Sequence, residues 1–209
     1  MDTFPYTDIL WDFNGTLLDD VDAGIEANNR MLVRRSLPKI DRESYQRLVP
    51  GKIRDFYLRM GFDLEKEDFV DIAAEWTAEY LDCASDAGLR QGALECLEHF
   101  AALGVTQSIL SASRDSILEE QIDRLGIGRF FSVALGLDNS HTVDKREAAA
   151  EWRSKHPHAK ALIIGDSEHD AEVARSISCD CLLVEGGHRN RETLSGCGFP
   201  VLGSLYELL

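Results

Sequence analysis

Five short apolar runs bounded by turn residues punctuate the chain: TDILWDF (7–13), TQSILSAS (106–113), FFSVALG (130–136), AKALIIGD (159–166) and CDCLLVEGG (179–187). Each predicts a strand buried on both faces. Helix-spaced apolar positions fill the intervals 91–103, 114–125, 143–155 and 168–177. Strands alternating with helices predict βαβ units, a parallel sheet with right-handed crossovers, and a binding crevice at the carboxyl ends of the strands. Three of the runs turn polar at that end, at Asp12, Ser111 and Asp166.

Residues 18–87 break the alternation. VDAGIEANNRMLVRRS, DRESYQRLV, KIRDFYLRMG and EKEDFVDIAAEWTAEYLDCAS all carry helix spacing and are separated by Pro38, by Pro50-Gly51 and by Gly61. This predicts an α/β protein with a Rossmann-like, doubly wound parallel core formed by residues 1–17 and 88–209, and an all-helical insert over 18–87. Gly88 and Gly92 mark the return to the core.

At 209 residues and 44% hydrophobic content, the chain can bury a sizeable core, and disorder is not expected. A net charge of -15, spread without long single-sign runs, argues against nucleic acid or an anionic membrane as partner. An anionic substrate would then need local groups, such as a bound metal, to overcome the global repulsion. No apolar stretch reaches spanning length and MDTFPYTD lacks the character of a signal peptide, so a cytoplasmic protein is expected. The cysteines (Cys83, Cys96, Cys179, Cys181, Cys197) are odd in number and form no C-x-x-C pair, which points to small apolar roles rather than disulfides or zinc. Oligomeric state is not legible.

Candidate chemistry concentrates at the strand ends. Asp12 can be a turn-capping acid or a functional carboxylate. GDSEHD (165–170) places Asp166 beyond a buried strand and Asp170 one helical turn later. Two carboxylates facing one pocket suit a hard cation such as Mg²⁺, while an N-cap aspartate with a second acid in the first helical turn is the plain alternative. Ser111 could donate to a phosphate oxygen or merely close a turn. Lys145, in HTVDKREAAAEW, precedes or opens a helix and could pair with a carboxylate and a phosphoryl group, or lie at the surface. His169, within GDSEHD, reads as a helix-start side chain, and His188, in GGHRN, as a loop residue after the fifth run, with an approach to the active-site rim as the less favoured alternative.

An Asp ending strand one, a Ser ending strand two, then Lys, then G-D-x-x-x-D resembles the haloacid dehalogenase superfamily. DFNGTLLDD resembles its D-x-D-G-T-L-x-D-S, with Asp12, Gly15, Thr16 and Leu17 in register. The helical-cap group that includes phosphoglycolate phosphatase and beta-phosphoglucomutase is the nearest in organisation. The resemblance implies a Mg²⁺-dependent phosphatase acting on a small phosphorylated metabolite. It implies that Asp12 attacks phosphorus, that Ser111 and Lys145 hold the phosphoryl oxygens, and that Gly15, Thr16 and Ala112 line the substrate. It further implies that Asp12, Asp166, Asp170 and the main-chain carbonyl of Asn14 hold the metal. In the cap stretch PGKIRDF, it implies that Arg54, following Gly51, contacts an anionic group of the substrate.

Asn14 departs from the motif, whose second Asp protonates the leaving oxygen and then activates water. An amide can do neither, although its carbonyl remains available to a metal. Losing general acid–base catalysis removes a factor of roughly 10² to 10⁴, so activity need not vanish. Asn14-Gly15 is also a sequence prone to deamidation, and its residue types favour a tight turn. Three rivals remain: a carbon–phosphorus hydrolase of the same superfamily using Lys52, a dehalogenase, and a binding module without turnover.

Overall fold

The computed structural model describes residues 4–49, 53–137 and 144–209. Six strands form one parallel sheet in the order β3-β2-β1-β4-β5-β6: β1 Asp8–Trp11, β2 Thr106–Arg114, β3 Val133–Leu137, β4 Ala161–Gly165, β5 Asp180–Val184 and β6 Val201–Leu202. The strand order reverses between β1 and β4, the place where a doubly wound sheet opens a crevice. Asp12 and Asp166 are the first residues beyond those two strands.

Alternate strand residues face opposite layers, which is why the runs read as continuous apolar segments. Ile9, Trp11, Ile109 and Ile164 pack on one face with Leu97 and Phe100 of α5 (Ala93–Ala102) and Leu118 of α6 (Asp115–Leu125). Leu10, Leu110 and Ile163 pack on the other with Ala149 and Trp152 of α7 (Lys145–Lys155) and Val173 of α8 (Glu168–Ser176). The last short helix, α9, is Arg191–Ser195.

Four helices lie between β1 and α5: α1 Val21–Arg34, α2 Arg42–Leu48, α3 Ile53–Arg59 and α4 Phe69–Cys83. They bury a core of their own around Met31, Leu32, Tyr45, Phe56, Tyr57 and Ile72. Arg35 clamps α1 to α4, reaching Glu67 and Glu75 at 2.5 and 2.6 Å with its guanidinium over the Phe62 ring. Where the chain leaves and rejoins the sheet region, Leu18 bridges Leu89, Asp19 N–H donates to Gly88 O at 2.9 Å, and Arg90 N–H donates to Leu17 O at 2.8 Å. The four-helix unit is thus tied to the sheet through a two-stranded junction.

Two expectations shift. Strand two continues past Ser111 to Arg114, with an irregular register against β3 between Leu110 and Arg114. Beside this irregularity Ser111 and Ser113, two positions apart and so on one side of the strand, both donate to Asn14 Oδ1 just beyond β1. The second is the cap of α8: the N-cap is Ser167, not Asp166, and Ser167 gives its N–H and hydroxyl to Asp170 Oδ2. Asp166 is left with its carboxylate free of the capping role. No described helix is long and apolar enough to cross a membrane, and all five cysteines are free.

Candidate active site

At the sheet's carboxyl end, Lys145 lies 3% exposed between two buried carboxylates, with Nζ donating to Asp12 Oδ1 and Asp170 Oδ1, both at 2.6 Å. It is the first residue of α7, so the helix start aims it inward; the preceding Asp144 caps that helix by accepting from Arg146 N–H. Thr16 Oγ1 donates to the other oxygen of Asp12 at 2.9 Å. Asp166 Oδ2 accepts the main-chain N–H of His188. A Cβ at Gly15 or Gly187 would strike the Asp166 carboxylate, so both loops approach it as only glycine permits.

Asp12, Asp166 and Asp170 each offer an oxygen within 4.8 Å of the others. Three carboxylates against one ammonium leave a negative excess in a buried space, and every donor is a hard oxygen. The set fits a divalent cation of the Mg²⁺ type. The electrostatics agree with it: burial, and then the charge of Asp170, push the Asp12 carboxyl up to about 8 despite Lys145. Burial likewise raises Asp166. Asp170 is held below the usual carboxylate range because Lys145 outweighs the effect of burial, and Lys145 is raised because Asp12 and Asp170 do the same for it.

Asn14 is fully engaged. Its Nδ2 donates to Asp20 Oδ2 and to the Tyr80 hydroxyl, both at 2.8 Å, and its Oδ1 accepts from Ser113 Oγ at 2.8 Å and Ser111 Oγ at 3.3 Å. The carboxylate of Asp20 fixes which end of the amide is nitrogen. Tyr80 donates in turn to Asp20 Oδ2 at 2.5 Å, and Gly15 N–H to Asp20 Oδ1 at 2.7 Å. That last bond occupies the nitrogen that would close the ring in deamidation, so the local geometry opposes that reaction.

Asp20, 1% exposed, is a site residue that sequence reasoning misses. It stands at the final position of the D-x-D-G-T-L-x-D-S pattern, where the motif has Ser, and that second departure is the available signal. His188 Nε2 lies 3.5 Å from Asp20 Oδ1 and its Nδ1 pairs with the Tyr45 hydroxyl at 2.8 Å. Burial opposes the charge on His188, but Tyr45, Asp20 and Asp166 outweigh it and raise its pKa well above the ordinary value. Asp20 is lowered against burial, chiefly by His188. The two form an ion pair beside Asn14.

From Asn14, a cavity of about 460 Å³ extends into the four-helix unit. Ala112, exposed at the end of β2, and Ser113 lie on its wall, whereas Gly15, Thr16 and Ser111 sit below it among the buried polar groups. Arg54 is not brought to this site. It is exposed on α3 with its guanidinium 5.9 Å from the Phe69 ring, outside the cavity lining. Gly51 and Lys52 lie outside the described residues, as does residue 143 of the expected helix.

The model of the family described as haloacid dehalogenase-like hydrolase matches residues 9–184. A phosphoglycolate phosphatase of Vibrio parahaemolyticus is 24% identical over 217 residues, covering 96% of this chain and 93% of its own. One from Rhodobacter capsulatus is 25% identical over 188 residues, covering 87% and 85%. A haloacid dehalogenase-like family hydrolase of Streptococcus pneumoniae superposes with a TM-score of 0.84 at 19% identity, covering 97% of this chain and 96% of that one. With the family model spanning most of the chain and the carboxylate–lysine cluster at the expected strand ends, the chain belongs to the haloacid dehalogenase-like hydrolases.

Proposed function

We propose that this hydrolase is a Mg²⁺-dependent phosphatase of small phosphate monoesters, with Asp12 as nucleophile. The observation that carries the reading is the state of Asp12: a buried carboxylate at the β1–β4 switch point, held by Lys145 and Thr16 beside two further carboxylates. One Asp12 oxygen attacks phosphorus, the ester P–O bond breaks, and an aspartyl-phosphate forms that water then hydrolyses. Lys145 and Ser111 donate to the phosphoryl oxygens. Held by Asp12, Asp166, Asp170 and the Asn14 carbonyl, Mg²⁺ would supply the countercharge that brings an anion to a chain of net charge -15. Residues 18–87 serve as a cap that excludes water from the reacting phosphorus.

Asn14 offers no proton to the leaving oxygen, so esters of weakly basic alcohols react best. The curated relatives are named for phosphoglycolate, and a small phosphorylated metabolite is the substrate class they support. The test is phosphate release with Mg²⁺ across aryl and metabolite monoesters, run beside Asp12→Asn. Release that disappears in the variant supports the reading, and release that persists in it, or silence from the parent protein on every ester, refutes it.

A further inference from the structure

The cavity above Asn14 is unlike a receptor for a short carboxylate arm. Its walls are aromatic and aliphatic, with Tyr45, Phe56, Tyr57, Phe69, Trp76 and Tyr80 contributing rings. Trp76 and Tyr80 stack on each other with centroids 4.9 Å apart and planes 11° from parallel, and this pair forms part of the wall. Among the described lining residues the cations are His188, already paired with Asp20, and Arg114, exposed on the β2 side. A second anionic group could pair with Arg114 on the β2 side, but deeper among the rings it would lose its hydration with no further cation from the described lining residues to meet it.

Among the fully buried side-chain polar atoms of the described lining residues, one has no partner. Asn28 of α1 is 1% exposed, and its Nδ2 donates to Gly24 O at 2.7 Å, which fixes the amide orientation. Its Oδ1 has no hydrogen-bond partner. A buried acceptor without a partner is costly, and Asn28 is one of the residues lining the cavity. The volume, about 460 Å³, falls within the range of small-molecule pockets. Asn14 adds a chemical constraint from the other end: with no acid there, the departing oxygen should be weakly basic, as in a phenol.

Resting on the reading of the chain as a phosphatase, we propose that the alcohol half of its substrate is a planar aromatic ring bearing a hydrogen-bond donor, packed against the Trp76–Tyr80 pair and received by Asn28 Oδ1. The aromatic wall supplies dispersion and quadrupole contacts, the orphan carbonyl supplies orientation, and the phenolic oxygen leaves without a protein acid.

Steady-state kinetics with Mg²⁺ on the full chain would use indoxyl phosphate, 1-naphthyl phosphate, phenyl phosphate and phosphoglycolate, alongside calorimetric binding of naphthylmethylphosphonate and phosphonoacetate, which cannot turn over. The expected order of kcat/KM is indoxyl above naphthyl above phenyl, with phosphoglycolate at least tenfold below naphthyl. Naphthylmethylphosphonate should bind at least tenfold tighter than phosphonoacetate. Trp76→Ala should raise KM for the naphthyl ester about tenfold with a smaller change in kcat, and Trp76→Phe should recover most of it. Asn28→Leu should erase the indoxyl advantage over naphthyl. Phosphoglycolate turned over as well as the naphthyl ester would overturn the substrate class while leaving the phosphatase reading intact. Tight naphthylmethylphosphonate binding without turnover of any ester would do the reverse, and absence of both overturns both.

Discussion

The two halves of the site are built on opposite principles. At the sheet end, charge is concentrated: Asp12, Asp166, Asp170 and Lys145 are all buried and tied to one another or to nearby donors. In the four-helix unit the cavity wall is rings and aliphatic chains, with a single unpartnered amide oxygen among the described lining residues. The first half is rigid because every ion leans on a partner, and removing one strands the rest. The second half discriminates by shape and can be altered residue by residue. Chemistry resides where substitution is costly, and selectivity where it is cheap.

That contrast is broken most severely at Lys145. Lys145→Met leaves Asp12 and Asp170 facing each other without their shared cation, at a cost of about 3–5 kcal/mol in metal-free protein. Chemical denaturation with and without Mg²⁺ should show the cation restoring part of that loss. A variant as stable as the parent would mean the cluster is less tightly coupled than its geometry indicates.

A subtler break exchanges the Asn14 and Asp20 roles. Asn14→Asp alone sets a second carboxylate against Asp20 at about the present 2.8 Å, so it should lower the melting temperature and give little rate. The double variant Asn14→Asp with Asp20→Asn keeps one acid and one amide and places the acid over the nucleophile. Its rate on alkyl phosphates should rise by about 10², with a smaller gain on aryl esters. Equal gains on both ester types would remove the claim that the parent lacks a leaving-group acid.

The metal sharpens the same comparison through pH. The Asp12 carboxyl is pushed up to about 8, above its unfolded value of ~3.9, so the stability linked to its protonated form is full below about pH 4 and is lost as pH rises through about 8. A cation needs the ionised form. The melting-temperature rise given by Mg²⁺ should therefore be larger at about pH 8.5 than at about pH 6, and a pH-independent rise would contradict the buried-carboxylate account. Smallest of all, Arg35→Ala should cost about 1 kcal/mol, because its ion pairs to Glu67 and Glu75 are partly solvated, and should leave the sheet-end cluster untouched.

Much of this architecture is legible in the sequence, and the residues show why. The runs around Ile9–Trp11 and Leu162–Ile164 are apolar without interruption because both faces of the sheet are covered, and the motif residues sit at their ends. Boundaries drift where side chains give no periodic signal: β6 is two residues long, and strand two runs on through Ser113, where its register against β3 is irregular. The partners of Asn14 are harder still. Tyr80 meets it across 66 positions, and His188, from the loop after β5, reaches its partner Asp20 only once the whole sheet is assembled. Arg54 is not among the lining residues: it is exposed on the short helix α3 with its guanidinium beside the Phe69 ring, and a sequence motif does not specify the rotation of such a helix.

The junction at Leu18 and Leu89 gives the molecule a mechanical asymmetry. Both crossings of the chain between sheet and helices occur at one place, where Arg90 also grips Gly15 O at 2.6 Å and Glu185 O at 2.5 Å. A door hung on one such hinge swings most at the side farthest from it, and Asn14, close to the pivot, would serve as the latch. A swing that widens the cavity would part Tyr45 from His188 and Gln46 from Gly187 O as well as Tyr80 from Asn14 and Asp20. The same amide that supplies no proton to the reaction is thereby one of the contacts holding the four-helix unit to the sheet, and its replacement would register in product release as well as in chemistry.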